Sequence, residues 1–220
     1  MRVLIEAAVE SLDDALAAVE GGADRLELCA DLDAGGTTPD RALIASVLAH
    51  VRVPVVVMVR DRPGDFVYTR DEIERMRRNV ALALVMGAAG VVVGALTQAE
   101  RIDVSAMREL MSAAYGLPVT FHRAIDEARD VLPSIDALRT LGVARVLSSG
   151  GKPVALDGSV TLAAMIERAG DTLTVVAGGG VRATNVVELV RRTGVREVHA
   201  RCGGDAGRIA AIADALARAG

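Results

Sequence analysis

Aromatic residues and clustered basic residues are scarce in this sequence, and each scarcity excludes a class of protein. Aromatics make up 2% of the 220 residues and tryptophan is absent, so a core has to be built from aliphatic side chains and methionine. The net charge is −4 and no basic stripe with interleaved aromatics occurs, which argues against a nucleic-acid partner. No apolar run is long enough to cross a bilayer, so we expect no membrane partner.

Cysteine is also rare, with only Cys29 and Cys202 present. They show no CxxC spacing, which excludes a local zinc or thioredoxin-like motif, and such low cysteine usage is typical of a reducing compartment. The chain enters a strand-like run at Val3 without a basic leader, an apolar region and a cleavage site. We therefore predict a cytoplasmic protein.

What the sequence contains instead is one pattern repeated eight times: a short β-branched run, a turn and an amphipathic helical segment. Several runs are almost wholly apolar, as at Val55–Val59, which is typical of parallel strands buried on both faces. The eight runs are Val3–Ala8, Arg25–Cys29, Val53–Arg60, Gly90–Gly94, Pro118–Arg123, Ala144–Ser149, Leu173–Ala177 and Arg196–His199.

Eight such units in this length predict an α/β fold, a single (β/α)₈ TIM barrel that forms one domain over residues 1–220. Helical periodicity is clearest over Leu12–Val19, Glu72–Met86 and Ile209–Leu216. A doubly wound open sheet is the alternative, but no G-x-G-x-x-G fingerprint follows the first strand. We therefore favour the barrel.

Polar residues recur at the carboxyl ends of the predicted strands, where barrels of this kind carry their function. Side chains alternate along a strand, and this alternation turns Glu27 and Cys29 toward the barrel axis together with Glu6 on the first strand. The same argument brings Arg60 to the end of the third strand and turns His122 inward on the fifth. These side chains are expected to converge at one solvent-reachable mouth.

A buried charge has to pair or face a wet pocket, so two interpretations of these residues are open. One is a closed polar plug that neutralises itself, and the other is a functional site. We favour the functional site, because four ionisable groups at strand ends are hard to explain by packing. If the protein is an enzyme, Glu6 or Glu27 is the general base or acid with His122 as its partner. Arg60 and Arg123 would hold an anionic group or stabilise developing negative charge.

Glycine-rich segments follow the sixth, seventh and eighth predicted strands. Barrels commonly bind phosphate after strands seven and eight, through backbone N–H groups and a helix N-terminus. We predict an anion site formed by Ser149, Gly150, Gly179 and Gly180. The alternative is that these glycines serve only the tight turns that such loops require.

Several segments, in order along nearly the whole chain, resemble the CutC family, which is named for copper homeostasis. The most specific are TFHRAID at residues 120–126 and GDFVY at residues 64–68. Other matching segments are residues 21–29, 35–39, 54–60, 145–150, 178–181 and 197–199. The resemblance implies a TIM barrel, a cytosolic and self-associating protein, for which we expect a homodimer, and a role in copper handling. It implies no established reaction.

The copper role of the family rests on cysteines in two Glu-x-Cys strings that end the first two strands. Here the second string is intact at Cys29, whereas the first ends in Ala8. Because Cu(I) prefers thiolates or thioethers, Cys29 is a candidate copper ligand if Met58, His122, Cys202 or a second subunit completes the site. The alternative is that Cys29 is a small buried core residue.

Three functions therefore stay open from the sequence. The first is a copper homeostasis protein that binds or buffers Cu(I). The second is an enzyme that acts on a small metabolite, with or without a phosphate group. It would use acid–base chemistry with Glu6, Glu27, Arg60 and His122. The third is a scaffold with an inert barrel. The partner is a metal or a small molecule in the first two functions.

Overall fold

The structure is a computed structural model and describes residues 2–219. Eight parallel strands close into a barrel in chain order, and β8 pairs with β1. The strands are β1 (Leu4–Val9), β2 (Arg25–Leu28), β3 (Val55–Met58), β4 (Gly90–Val93), β5 (Val119–Phe121), β6 (Arg145–Ser148), β7 (Thr174–Gly178) and β8 (Glu197–Arg201). This closure confirms the predicted (β/α)₈ barrel over the open sheet.

A helix follows each strand and covers the outside of the barrel. The helices are α1 (Leu12–Glu20), α2 (Arg41–His50), α3 (Arg70–Met86), α4 (Val104–Ala114), α5 (Val131–Leu141), α6 (Ser159–Ala169), α7 (Val186–Thr193) and α8 (Ala206–Ala219). Short 3₁₀ turns at Leu32–Ala34 and Arg123–Glu127 follow β2 and β5. Within residues 2–219, none of the helices combines the length and the apolar character that a membrane span requires.

The element boundaries differ from the predicted ones where specific backbone groups end a ladder or start a helix. The third strand was predicted over Val53–Arg60, but β3 is shorter because Arg60 N–H turns away to Thr38 Oγ1 at 3.0 Å. Helix α3 begins two residues before the predicted Glu72. Thr69 caps it in a reciprocal capping box with that glutamate, which satisfies free N–H groups of the first turn.

Side chains alternate between two cores, as the strand parity predicted. The outer core, between the barrel and its helices, is aliphatic and contains Leu26 and Leu28 of β2. The barrel interior contains a small apolar cluster that includes Cys29, Val56 and Met58. In most barrels of this fold branched apolar side chains fill the interior, whereas here several buried charged residues share it. These charged residues form the floor of the site.

Candidate functional site

A cavity of about 690 Å³ opens at the carboxyl ends of the strands. Among the predicted site residues, its lining contains Glu27, Arg60, His122, Arg123, Gly179 and Gly180. The other predicted residues, Glu6, Cys29, Ser149 and Gly150, are buried behind this lining. Side chains from separate strands therefore meet at one mouth.

Glu6 lies below the cavity in an ion network and is 2% exposed. Its Oε2 accepts from Arg25 Nε at 2.5 Å, and its Oε1 is 2.8 Å from His199 Nδ1. Arg25 also donates to Glu197 Oε2 at 2.6 Å, and Arg145 Nε lies 3.4 Å from the same oxygen. Burial raises the pKa of Glu6, but His199 and Arg25 outweigh burial and lower it to about 2. Glu6 is therefore a permanent anion with both oxygens occupied.

Glu27 lies on β2 opposite Ala8, nearer to the cavity than Glu6. Its exposed fraction is 2%, the same as that of Glu6. Its Oε2 lies 3.7 Å from His199 Nε2 and 3.6 Å from Cys29 Sγ, and its Oε1 has no hydrogen-bond partner among the described residues. Burial raises the pKa of Glu27 to about 7; the charge of His199 opposes this rise and the charge of Glu6 adds to it. Glu27 can therefore gain or lose a proton near neutral pH.

His122 is a buried neutral imidazole that lines the cavity. Its Nδ1 accepts from Ala124 N–H at 3.2 Å, so the ring proton is on Nε2, which has no partner among the described residues. Burial, and then the charge of Arg60, lowers the pKa of His122 to about 3. The ring needs the space that Gly94 leaves at the end of β4, because a Cβ there would lie 2.5 Å from His122 Cε1.

Arg60 is a buried cation that holds the loops around the mouth together. Its guanidinium donates to the carbonyls of Ala34, Gly36 and Gly64 at 2.6–3.2 Å and lies 4.7 Å from the ring centroid of Phe66. Within residues 2–219 no carboxylate forms an ion pair with it, and its Nε has no acceptor. Its charge is therefore uncompensated and favours an anion in the cavity.

Arg123 and the loop after β6 are linked through Asp126. Arg123 Nε pairs with Asp126 at 2.9 Å and Arg123 Nη2 donates to Ser149 Oγ at 2.8 Å. Asp126 also accepts from the backbone N–H of Ser149 at 3.0 Å, and Gly150 N–H donates to Ser148 Oγ at 2.8 Å. Two of the backbone donors predicted to bind an anion are therefore engaged within the protein.

The other half of the predicted anion site has free donors. Gly179 and Gly180 both have positive φ, at 109° and 65°, and line the cavity. No acceptor for either backbone N–H occurs in the described part of the chain. Lys152 and Arg182 line the same wall, and neither forms an ion pair within residues 2–219. This wall keeps two amides and two cations available for an anionic group.

Comparison with known proteins assigns the chain to a family. Residues 3–204 match the family model described as the CutC family. The chain belongs to the CutC family. A protein of Xanthomonas campestris pv. campestris (strain 8004) named as a CutC family protein is 45% identical over 200 residues, which cover 91% of this chain and 83% of that protein. One of Photobacterium profundum is 40% identical over 199 residues, 90% of this chain and 81% of that protein.

A solved structure supports the same assignment. The crystal structure of a CutC protein from Streptococcus agalactiae, whose name proposes copper homeostasis, superposes with a TM-score of 0.85 at 33% identity. The match covers 90% of this chain and 97% of that one. The CutC resemblance read from the segments around residues 64–68 and 120–126 is therefore confirmed.

The residues around Cys29 do not fit the soft site that a CutC copper role requires. Cys29 is fully buried, and burial followed by the charge of Glu27 raises the pKa of its thiol well above the ordinary value. Ala8 offers no second thiol, and Cys202 belongs to the outer core, with its Sγ directed at Asp205 O. Cu(I) prefers thiolates or thioethers, and around Cys29 the described residues offer one protonated thiol and the thioether of Met58 in place of two thiolates.

A different group of atoms in the described residues is close enough to surround a cation. Oxygen and nitrogen atoms of Glu6, Glu27 and His199 lie within 4.8 Å of one another. The group contains no sulfur, and both oxygens of Glu6 already accept from Arg25 and His199. A proton, rather than copper, suits this arrangement.

His199 and Asp126 were not assigned roles from the sequence. His199 shares the parity of Glu197 on the eighth predicted strand, so the signal that singled out His122, a histidine at a strand end, is also present for His199. Asp126 had appeared only as part of a family-specific segment. Asp126 contacts the end of β6 and the loop after it, at residues 22 to 25 positions further along the sequence. A local sequence pattern cannot predict contacts at this separation.

Proposed function

We propose that the protein is an enzyme that acts on a small anionic metabolite by acid–base chemistry at the barrel mouth. The observation that carries this proposal is a pair of buried polar atoms without partners, Glu27 Oε1 and His122 Nε2, on residues that line one cavity. Buried polar atoms nearly always have a partner, and an exception calls for an explanation. A bound ligand with a donor and an acceptor would satisfy both atoms.

The two groups have complementary chemistry. Glu27, with a pKa of about 7, can take a proton from a ligand at neutral pH. His122 stays neutral, because its pKa is about 3, so its Nε2–H can donate to an oxygen that becomes negative. A base and a neutral hydrogen-bond donor that line the same cavity suit the removal of a proton from a carbon next to a carbonyl group.

The charges around the cavity favour an anionic substrate. Arg60 contributes an unpaired positive charge, and the amides of Gly179 and Gly180 are free to hold a phosphate or carboxylate group. Lys152 and Arg182 stand on the same wall. Arg60 gives most of its N–H groups to carbonyls, so its contribution to binding is its field more than direct contact.

Proton exchange into solvent tests this proposal without a coupled assay. A panel of triose, tetrose, pentose and hexose phosphates, both aldoses and ketoses, is incubated with the protein in D₂O, and loss of the C–H signals next to the carbonyl is followed by ¹H NMR. We expect catalysed exchange that falls about 100-fold or more in Glu27→Gln. Glu167→Gln, an exposed helical residue, is the matched control. Exchange no faster than in buffer across the whole panel contradicts the proposal.

Copper handling is the second candidate function. The name of the Streptococcus agalactiae relative favours it, as does the approach of Cys29 Sγ and Met58 Cε to within 3.4 and 3.5 Å of the Cβ position of Gly36. Because the single thiol is protonated, we expect Cu(I) to bind no more tightly than it binds a chromophoric competitor. Tighter binding that Cys29→Ala abolishes would favour copper handling over the enzyme.

We also propose that the protein works in the cytoplasm as a homodimer. Both cysteines are free thiols, which is compatible with a reducing compartment. The expectation of a homodimer rests on the resemblance to the CutC family, which implies a self-associating protein. Light scattering of the purified protein measures the assembly, and a monomer at high concentration contradicts this part of the proposal.

A further inference from the structure

Six ionisable side chains fill the barrel interior below the cavity, and their charges nearly cancel. They are Glu6, Arg25, Glu27, Arg145, Glu197 and His199. The three carboxylates and two guanidinium groups leave one excess negative charge. A single proton held by the imidazole or by Glu27 removes that excess, and a buried charge network is stable when it is balanced in this way.

The geometry places that proton at the floor of the cavity. Glu6 is a permanent anion, so the 2.8 Å contact from His199 Nδ1 is a donated hydrogen bond, and it fixes the orientation of the ring. The other ring nitrogen, Nε2, is 3.7 Å from Glu27 Oε2, which is too far for a hydrogen bond. Because His199 and Glu27 both line the cavity, a proton on Nε2 remains free for a bound molecule.

We propose that His199, oriented by Glu6, is the proton donor that works together with the base Glu27 on an anionic hydroxy-carbonyl substrate. This inference rests on the proposed function and names its substrate class. Glu27 and His199 Nε2 are close neighbours, so they reach atoms one or two bonds apart, such as a carbon and the carbonyl oxygen beside it. His122 is the neutral donor at that oxygen.

The proton movements balance without a cofactor. Glu27 takes the proton from the carbon, and the electron pair of the C–H bond forms a C=C bond as the carbonyl π electrons move to the oxygen. His199 Nε2 gives its proton to that oxygen, which yields an enediol. In the second half His199 takes the proton of the neighbouring hydroxyl, and Glu27 returns its proton to the other carbon. The product is the isomeric hydroxy-carbonyl compound, and both residues regain their starting states.

The charges that face His199 keep it protonated. Burial lowers the pKa of His199, but the charge of Glu27 and the hydrogen bond and charge of Glu6 outweigh burial and raise the pKa above its ordinary value. Arg25 on β2 opposes this rise. On the β7 side Gly178 lies against the ring, where a Cβ would be 3.3 Å from His199 Cδ2. The same cavity therefore holds a protonated His199 and a neutral His122.

Histidine NMR on the ligand-free protein tests this assignment. Long-range ¹H–¹⁵N spectra are recorded on ¹⁵N-histidine protein between about pH 5 and about pH 9; exposed His50 gives the third set of signals. Loss of peaks in His199→Gln and His122→Gln assigns the other two. We expect His199 to be protonated on both nitrogens above pH 6.5, the ordinary pKa of a histidine side chain. His122 is expected to stay neutral, with its proton on Nε2, throughout.

Two carboxylate variants and one kinetic measurement complete the test. Glu6→Gln should shift the His199 titration down by about one pH unit or more, whereas Glu10→Gln, just after the end of β1, should leave it in place. His199→Gln should slow the exchange of the substrate C–H about 100-fold. Where Glu6→Gln does not fold, the wild-type titration alone decides.

The outcomes separate this inference from the function on which it rests. If His199 is neutral near pH 6.5, it is not the proton donor. If catalysed exchange is nevertheless observed and Glu27→Gln abolishes it, the proposed function still holds. A protonated His199 without any catalysed exchange refutes the proposed function and the donor role together.

Discussion

Replacing Glu27 by glutamine should stabilise the protein at alkaline pH while it removes the proposed base. Glu27 is buried with an unpartnered Oε1, and burial raises its pKa from 4.5 to about 7. A carboxyl group with a raised folded-state pKa stabilises the fold below its unfolded-state value, and that contribution is lost as pH rises through the folded-state value. Glutamine has the same shape and never ionises.

The size of the effect follows from the two pKa values. Each unit of difference corresponds to about 1.4 kcal/mol, so ionising Glu27 above pH 7 costs the folded state on the order of 3 kcal/mol in total. Part of this cost is already present at about pH 5.5, where the unfolded chain is mostly ionised. Between about pH 5.5 and about pH 8.5, the free energy of unfolding of Glu27→Gln should therefore gain about 2 kcal/mol relative to wild type.

Urea unfolding followed by far-ultraviolet circular dichroism measures this difference, since the chain has no tryptophan for fluorescence. Both proteins are unfolded at several pH values. The difference between them reports the ionisation of Glu27 together with the change that the loss of its charge causes at His199. Exposed Glu167→Gln is the control and should follow wild type at every pH. Parallel curves for wild type and Glu27→Gln would refute the raised pKa, and with it the role of Glu27 as a base near neutral pH.

Three further predictions concern the neighbouring residues. Gly94→Ala should cost about 1–3 kcal/mol of stability and displace the His122 ring, because its Cβ would overlap the ring; unfolding midpoints and the His122 NMR signals report both effects. Arg60→Met removes a cation that lowers the pKa of His122, so that histidine should begin to titrate at higher pH and phosphate binding measured by calorimetry should weaken. Wild type should lose up to about 3 kcal/mol as pH falls from 4.5 toward 2, because the pKa of Glu6 is lowered to about 2; this loss should be absent from Glu6→Gln in acid unfolding curves.

The fold could be predicted from the sequence because its signals are local. Each strand carries its own apolar run, and the alternation along β2 alone separates Leu26 and Leu28, in the outer core, from Glu27, in the cavity lining. The convergence of Glu27 and His122 followed from the same alternation together with the rule that strands of a barrel end at one mouth. Neither step needed a tertiary contact.

The partners of each charged group could not be predicted, because they are set by long-range contacts. His199 reaches Glu6 across 193 residues of sequence through the closure of β8 onto β1. Arg60 was expected to face a substrate anion, yet its guanidinium is bound to carbonyls of two loops. The roles first considered for Glu6 and Arg60 remain predictions, but their contacts favour positioning and field effects.

The unpartnered atoms distinguish a working site from a closed polar plug. A plug would account for Glu6, which is fully paired with Arg25 and His199. It does not account for Glu27 Oε1 and His122 Nε2, which are buried without partners beside a cavity large enough for a metabolite. An inert barrel would be more stable with apolar side chains at these two positions. The polar side chains therefore cost stability. Binding or catalysis explains that cost, whereas a scaffold role does not.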